Sequence, residues 1–215
     1  MVKLNKWTLS NLGDGNYVVN DIDGSLCTHF VYAFAVLNET SYTMKAFDPY
    51  IDIDQQFYKK FVDMRNMYPD KKFLIAVGGW TDSRTTKYSK MLKSPSLRAN
   101  FVSEAVKFIQ EHRFDGLDLD YEYPSYQTPE NEKAYFSAWV RELKTAFLPY
   151  GWELTAAVAA GRSTIDAGYD VPEISKYLDA IHLMTYDLHG SWESQVNHHA
   201  ILHGTAGDML TVDYA

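Results

Sequence analysis

The chain alternates short, strongly apolar segments with longer amphipathic ones, and this alternation limits the folds open to it. The amphipathic segments carry apolar residues at helical spacing. The apolar segments are nine residues long and nearly continuous in apolar character, as strands buried on both faces are. They cover residues 29–37, 72–80, 114–122, 153–161 and 180–188. Buried strands alternating with helices predict an α/β fold with a parallel sheet.

Several of the helical segments have recognisable ends. Residues 94–113 open with Ser94, a preferred N-cap residue, followed by Pro95, which suits the first helical position. Gly151 ends the amphipathic segment 129–151, and glycine is common just after the C-terminus of a helix. Shorter helical patterns cover residues 57–68 and 171–178. The sequence contains no linker rich in Pro, Gly or Ser, so we predict no internal domain boundary.

Composition excludes several kinds of partner and site. The net charge of −8 over 215 residues argues against a nucleic-acid groove and against binding to an anionic membrane. No run of 18 apolar residues is present, so the sequence predicts no membrane-spanning segment. Cys27 is the single cysteine, which leaves no internal disulfide and no CxxC spacing. We therefore expect neither a metal nor a cofactor.

Two α/β architectures fit the alternation, a doubly wound sheet and a (β/α)₈ barrel. A doubly wound nucleotide fold needs a glycine-rich phosphate cradle after its first strand. Gly78 and Gly79 are followed by Trp80, whose side chain would block such a cradle. In a barrel, catalytic residues follow the C-terminal ends of several strands, and polar residues of this chain occupy those positions. The sequence favours the barrel.

Three acidic residues at alternate positions mark the segment 114–122. Side chains two apart on a strand point to the same face, about 6.6 Å from each other. One face would carry Asp118, Asp120 and Glu122, and the other Leu117, Leu119 and Tyr121. Stability alone gives no reason to bury three acids together, because unpaired buried charge is costly. The alternative is an exposed edge strand whose acids are solvated.

An acid row of this kind suits proton-transfer chemistry. Repulsion between like charges, together with burial, favours the protonated form of at least one carboxyl group. A protonated carboxyl at the mouth of a barrel is the general acid that cleavage of a glycosidic bond requires. Aromatic residues make up 15% of the chain, which suits stacking on the apolar face of a sugar and equally a tyrosine-rich core.

The sequence DGLDLDYE, residues 115–122, resembles the DGxDxDxE signature of glycoside hydrolase family 18, the chitinases. Further resemblances follow the family order: YAFA at residues 32–35, GGW at 78–80 and MTYDLHGSWE at 184–193. Residues 167–174 look like the insect and animal branch of the family. The resemblance implies a TIM barrel of the chitinase type that retains anomeric configuration during hydrolysis of chitin or chitooligosaccharides.

The resemblance also implies roles for individual residues. Glu122 would be the general acid, and the acetamido carbonyl of the substrate would act as the nucleophile. Asp120 would orient the acetamido group, Asp118 would lie beneath Asp120, and Tyr186 would hydrogen-bond the acetamido group. The expected substrate-binding residues are Tyr32, Phe34, Gly79, Trp80, Tyr123, Met184 and Asp187. Tyr32 and Phe34 fit a place in the core equally well. The alternatives to a chitinase are a glycan-binding relative without turnover and an inactive fragment.

The chain departs from the family pattern at both ends. We count five good strands and a doubtful first strand where the family barrel has eight, so we expect an incomplete barrel of five to six strands within residues 1–215. Residues 1–15 show little strand character and are expected to replace the first strand. In relatives, the cysteine that matches Cys27 is bridged to a partner in that strand. Uncovered sheet edges would then favour self-association.

The cellular location rests mainly on the resemblance. The N-terminal residues lack the apolar core of a secretory signal, which leaves a cytosolic protein or a signal outside this chain. Residues 38–40 read Asn-Glu-Thr, an N-glycosylation sequon that suits a secreted protein. The family resemblance implies an extracellular setting.

Overall fold

In the computed structural model, the described residues are 2–5, 17–126, 128, 131–204, 207, 208 and 210–214, and they place seven strands in one sheet. The strands are β1 (Val2–Asn5), β2 (His29–Leu37), β3 (Met44–Ala46), β4 (Lys72–Gly78), β5 (Gly116–Asp120), β6 (Glu153–Ala159) and β7 (Ala180–Met184). The α-helices of the same residues are α1 (Phe57–Asp63), α2 (Trp80–Ser83), α3 (Lys87–Lys93), α4 (Pro95–His112), α5 (Lys133–Phe147), α6 (Arg162–Gly168) and α7 (Val171–Ile174).

Six of these strands are parallel and lie side by side in chain order, β1-β2-β4-β5-β6-β7, while β3 pairs with β2 in the antiparallel direction. A doubly wound sheet reverses its strand order at a switch point, and this sheet does not. Consecutive parallel neighbours joined by helices are the arrangement of a (β/α) barrel. The predicted incomplete barrel of five to six parallel strands is therefore confirmed.

The two faces of the sheet pack differently. Val31, Ala33, Leu74 and Ala76 form a small apolar cluster on the inner face. The alternate residues of the same strands belong to the large core that the helices cover. This core includes Phe30 and Tyr32 of β2, Phe73 and Ile75 of β4, and Leu117, Leu119 and Tyr121 in and just after β5. The acids of β5 alternate with these residues and thus face the inside of the sheet, as the sequence predicted.

The five predicted strands are all present, and the predicted helix start at Ser94 is confirmed. The strand over 29–37 has the predicted bounds, whereas the other four end two to four residues early. The early ends have a common cause, because the chain leaves the sheet at the residues that form its rim, such as Trp80 at the start of α2. Ser94 accepts a hydrogen bond from the Leu97 amide at 3.4 Å, with Pro95 at the first helical position.

The N-terminal segment differs from its prediction. Residues 2–5 form β1, which pairs in parallel with residues 30–33 of β2, so the expectation of little strand character is wrong for this part. The strand has only four residues, so its alternation of apolar and polar side chains was too short to reveal it. The remaining residues of the segment expected to replace a first strand, 1 and 6–15, lie outside the described part of the chain. Cys27 is a half-buried free thiol packed against the core.

The outward face of β7 is partly uncovered. Ile181 and Leu183 point away from the inner face and are each 40% exposed, although they belong to a strand that pairs fully with β6. In the described sheet β7 is also an edge strand, and self-association through this edge stays a prediction. Among the helices described, none combines the length and apolar character needed to cross a bilayer.

Buried tyrosine hydroxyls are a feature of the helix-covered core. Tyr32 donates to Asp52 at 2.7 Å, and Tyr121 donates to Glu132 at 2.9 Å. Burial, reinforced by the neighbouring carboxylates, raises the pKa of both groups far above the ordinary 10.0. Burial first, then the charge of Asp52, likewise raises the pKa of Tyr58. The stability that depends on these protonated hydroxyls is complete below pH 10.0 and is lost as the pH rises above it.

We therefore expect the free energy of unfolding to fall steeply at alkaline pH, by about 1.4 kcal/mol per pH unit for each such tyrosine. Tyr58→Phe removes one of the groups and should make the fall shallower. Urea unfolding followed by far-UV circular dichroism between about pH 8 and 11 measures this slope. Tyr50→Phe, which changes a tyrosine that is 64% exposed, is the control and should follow the wild-type curve. Equal slopes for Tyr58→Phe and the wild type would contradict the expectation.

Candidate active site

A cavity of about 450 Å³ opens at the C-terminal ends of the parallel strands. This is the end at which barrel enzymes carry their catalytic residues. The cavity is lined by Ala33 and Phe34 of β2, Phe47 after β3, Gly78, Gly79, Trp80, Thr81 and Asp82 at the end of β4, Asp120 and Glu122 of the β5 region, and Met184, Tyr186 and Asp187 at the end of β7. The four sequence motifs therefore meet at one place.

The acids of β5 lie at graded depth. Asp118 is fully buried, and its Oδ1 accepts a hydrogen bond from the Thr155 hydroxyl at 2.6 Å. The Nε2 atom of His182 lies 3.7 Å from the same oxygen. Asp120 is 2% exposed and lines the cavity, as does the less buried Glu122. Since β5 lies between β4 and β6, the alternative of a solvated edge strand is excluded.

Glu122 stands where two cavities meet. It lines the first cavity and also a second one of about 210 Å³, whose wall includes Tyr123, Met184 and Tyr186. The Glu122 backbone amide donates to the Ser83 hydroxyl at 3.0 Å. The Ser83 hydroxyl in turn donates to the Asp120 carbonyl oxygen at 3.4 Å. Buried Ser83, the last residue of α2, thus joins that helix to the chain just after β5 and fixes the backbone that carries Glu122.

The Tyr123 hydroxyl interacts with the Glu122 carboxylate. Burial, followed by the negative charge of Glu122 and a hydrogen bond to its carboxylate, raises the pKa of the Tyr123 hydroxyl above its ordinary value. The hydroxyl therefore stays a hydrogen-bond donor beside Glu122 throughout the neutral range. Asp187 also lines both cavities, so the junction carries two carboxyl groups, and Glu122 is the one beside the Tyr123 hydroxyl.

Gly78 is required where β4 meets the end of β5. Its φ is +117°, and a Cβ atom there would lie 2.2 Å from the Asp120 carbonyl oxygen. The next amide, that of Gly79, donates to the same oxygen at 2.8 Å. Only glycine permits this approach of two backbones, and it holds Asp120 against the rim of β4.

Of the two aromatic residues predicted from the YAFA segment, only Phe34 reaches the cavity. Tyr32 is 1% exposed, lies in the helix-covered core and donates to Asp52, so its predicted role in substrate binding is wrong. The register between β2 and β4 shifts between Tyr32 and Ala35. This irregularity interrupts the alternation of faces, so that Phe34 packs against the inner cluster instead of the outer core.

Apart from Asp118, the other predicted site residues lie at one of the two cavities. Gly79, Trp80, Met184, Tyr186 and Asp187 line the first cavity, and Tyr123 lines the second. Trp80 is 47% exposed, and Tyr186 is 50% exposed. Asp118, which the sequence placed beneath Asp120, lines neither cavity.

Sequence reasoning missed Phe47 and Asp82 as cavity residues. The Asp82 carboxylate accepts hydrogen bonds from the Leu37 amide at 3.1 Å and the Tyr88 hydroxyl at 2.8 Å, and it pairs with Lys87. The sequence feature that could have revealed Asp82 is its position two residues after the GGW motif. Within the part of the chain that the structure describes, no group of three or more His, Cys, Asp or Glu side chains is placed to hold a metal ion.

The loop after β5 is anchored by a second buried carboxylate. Glu132 is fully buried and accepts hydrogen bonds from the Tyr121 hydroxyl and the Ser125 amide, each at 2.9 Å. The Thr128 hydroxyl donates to it at 3.3 Å, and the Glu132 amide donates to the Ser125 hydroxyl at 2.9 Å. These bonds join Tyr121, Ser125 and Thr128 to the residue that precedes α5.

Comparison with known proteins agrees with this geometry. The family model for glycosyl hydrolases family 18 matches residues 1–215. The chain is 42% identical over 203 residues to probable chitinase 10 of Drosophila melanogaster, covering 92% of this chain and 9% of that protein.

Solved structures show the same fold. The Group II chitinase catalytic domain 2 of Ostrinia furnacalis matches with a TM-score of 0.94 and 38% identity, over 99% of this chain and 57% of that domain. Human YKL-39, described as a pseudo-chitinase with retained chitooligosaccharide binding properties, matches with a TM-score of 0.85 and 27% identity, over 99% of this chain and 59% of its own. The chain thus spans just over half the length of these structures.

We expect Glu132→Ala to lower the free energy of unfolding by about 3 kcal/mol, because it removes the acceptor of several buried donors. Glu111→Ala, which changes an exposed glutamate of α4, is the matched control and should stay within about 0.5 kcal/mol of the wild type. Urea unfolding curves give both values. A loss no larger than that of the control would mean that the loop does not depend on Glu132.

Proposed function

The chain belongs to the glycosyl hydrolases of family 18, and we propose that it forms part of a chitinase catalytic domain that hydrolyses β-1,4 bonds between N-acetylglucosamine units. The proposal rests on Glu122, a carboxyl group at the junction of two cavities, with Asp120 and Asp118 at increasing depth behind it. Glu122 and Asp187 line both cavities, and of these two acids Glu122 is the one that continues the row of Asp118 and Asp120. The substrate class is chitin or chitooligosaccharides, and no cofactor takes part.

In the proposed reaction, Glu122 gives its proton to the glycosidic oxygen as the bond to the anomeric carbon breaks. The acetamido carbonyl oxygen of the same sugar bonds to that carbon and forms an oxazolinium-type intermediate. Water then attacks the anomeric carbon and passes a proton to the Glu122 carboxylate, while the bond from that carbon to the acetamido oxygen breaks and the acetamido group is regenerated. This restores the enzyme and retains the anomeric configuration. Asp120 orients the acetamido N–H and stabilises its positive charge, and Tyr186 hydrogen-bonds the acetamido group.

The depth of the acids supports this division of roles. Asp118 is held by Thr155 and lies close to His182, which suits a group that acts on Asp120 and does not touch the sugar. The Tyr123 hydroxyl donates to Glu122 and can steady the carboxylate between the two steps. Trp80, Phe34, Gly79, Met184 and Asp187 would supply the walls of the sugar site.

A second candidate function is sugar binding without turnover. Human YKL-39, a structural neighbour of this chain, is described as a pseudo-chitinase that retains chitooligosaccharide binding. The chain also spans only part of the solved catalytic domain that it matches. The presence of Glu122 favours catalysis, so the two candidates are separated by turnover and not by binding.

Glu122→Gln should lower kcat for a 4-methylumbelliferyl chitotrioside by about 10²- to 10⁴-fold, because the general acid is lost while the side-chain shape is kept. Glu111→Gln is the control and should keep wild-type activity. Fluorescence of the released 4-methylumbelliferone measures the rate. Hydrolysis that survives in Glu122→Gln would exclude Glu122 as the acid. Binding of the substrate by the wild-type chain without any hydrolysis would select the second candidate.

We also propose an extracellular setting, which fits the sequon at residues 38–40. Asn38 begins the turn between β2 and β3, where its Oδ1 atom accepts from the Thr40 amide at 2.9 Å and Thr40 is exposed. Expression through the secretory route of insect cells should give a glycoform whose mass falls on treatment with an N-glycosidase. Asn38→Gln should remove that mass difference. A secreted wild-type chain without glycan at Asn38 would count against the proposal.

A further inference from the structure

His189 lies just after the segment that carries Tyr186 and Asp187, and its imidazole ring is almost completely buried. The side chain is 8% exposed, although the residue belongs to the loop that follows β7. Its Nδ1 atom lies 2.9 Å from the Glu193 Oε2 atom, and its Nε2 atom lies 3.0 Å from the Leu210 carbonyl oxygen. The ring therefore joins the chain just after β7 to a loop 21 residues further on.

The partners of the two ring nitrogens indicate the charge of the imidazole. A carbonyl oxygen only accepts hydrogen bonds, so Nε2 must carry a proton, and an ionised carboxylate beside Nδ1 requires a proton there as well. Neutral imidazole has a single N–H group, so the imidazolium is the form that satisfies both contacts. In the described part of the chain, the charged groups that face the ring are Glu193 from the following turn and Asp208 from the later loop, whose Oδ2 atom lies 3.4 Å from Nε2.

The same surroundings determine when the ring loses its charge. Burial by itself lowers the pKa of His189, but the hydrogen bond to Glu193 and the charges of Glu193 and Asp208 outweigh it, so the pKa is raised above the ordinary 6.5. The contacts that depend on the imidazolium are therefore complete below pH 6.5 and are lost as the pH rises through the higher pKa of the folded protein.

Leu210 connects this ring to the candidate active site. It lines the second cavity together with Glu122 and Asp187. Its amide donates to the Asp208 carboxylate at 2.9 Å, so one short turn supplies both oxygen atoms that face Nε2 and a residue of the cavity wall. The position of this wall therefore depends on whether the His189 ring is charged.

We propose that His189 is a positioning residue whose charged ring holds Leu210 in the wall of the second cavity, so that the sugar site is complete at low pH and loosens as the pH rises. This inference rests on the proposed function for its ligand, whereas the contact between the ring and the loop exists without a ligand. When the ring loses one proton, either Glu193 or the Leu210 carbonyl oxygen loses its donor. The loop then has fewer contacts with the chain after β7, and local opening becomes easier.

Hydrogen exchange followed by mass spectrometry tests the contact without any ligand. After correction for the intrinsic effect of pH, peptides that contain Leu210 should exchange about tenfold faster at about pH 9 than below pH 6.5 in the wild type. His189→Gln lacks the charge and should exchange fast at every pH. Glu193→Gln keeps an acceptor without its charge, so the increase should begin at a lower pH, which a merely structural contact would not show. His203→Gln, which changes an exposed histidine paired with Asp213 in the same loop, is the matched control and should follow the wild type.

Binding of N-acetylchitotriose to the Glu122→Gln protein tests the effect on the site. In isothermal titration, the dissociation constant should rise about threefold between about pH 6 and pH 9, and adding His189→Gln should abolish this rise. His199 offers the rival explanation, because its Nδ1 atom lies 3.6 Å from the Asp187 carboxylate. A rise that survives His189→Gln and disappears with His199→Gln would overturn the role of His189.

The two measurements separate this inference from the proposed function. Exchange at Leu210 that does not respond to pH in the wild type would overturn the role of His189 and leave the proposed function intact. Exchange that responds to pH as expected, in a protein that binds no sugar, would support the hold of His189 on the loop and count against the proposed function. The wild-type exchange profile and Glu193→Gln keep the test decisive if His189→Gln does not fold.

Discussion

The burial of carboxylates in the middle of the sheet is the constraint on which the rest of this structure depends. Asp118 has no exposed surface and Asp120 almost none, and a buried acid is costly unless polar groups compensate it. The Thr155 hydroxyl supplies part of that compensation from β6, and His182 lies nearby on β7. Neighbouring strands must therefore keep their register for β5 to be tolerated at all. The buried acids of β5 and the order of the strands therefore depend on each other.

The same strand also fixes the chain that follows it. Leu117, Leu119 and Tyr121 pack on the helix side, and Tyr121 stacks on Tyr88 with ring centroids 4.8 Å apart. The Tyr121 hydroxyl reaches Glu132, which in turn holds the Ser125 amide. Because side chains alternate along the strand, the acids point inward, and the outward-facing Tyr121 anchors the loop through Glu132. Precise placement of Glu122 follows from the packing of the residues on either side of it.

Much of the fold and part of the site could be predicted from the sequence, and the failures have physical causes. The alternation of buried strands and helices revealed five strands and the acid face of β5, since both depend on local periodicity. It could not decide between Tyr32 and Phe34, because β2 is buried on both faces and a register shift interrupts its alternation. Asp82 and Glu132 bind groups in loops and turns, where no periodic pattern indicates which side chains meet. The strand β1 covers only four residues, Val2–Asn5, so its alternation of apolar and polar residues is too short to stand out.

Within the described part of the chain, the strands that carry the candidate site differ in how well they are covered. The residues around Glu122 come from the ends of β2, β4, β5 and β7, and all of these strands lie within the described sheet. The acid, its backbone support from Ser83 and its neighbour Tyr123 are therefore fixed by contacts within the chain. The outward residues of β7, in contrast, keep a large share of their surface in water, which weakens the contribution of that strand to folding. Tyr186 and Asp187 follow β7, which is partly exposed, so the part of the proposed sugar site that they would form depends on a weakly covered strand, whereas Glu122 follows β5, whose residues are all buried.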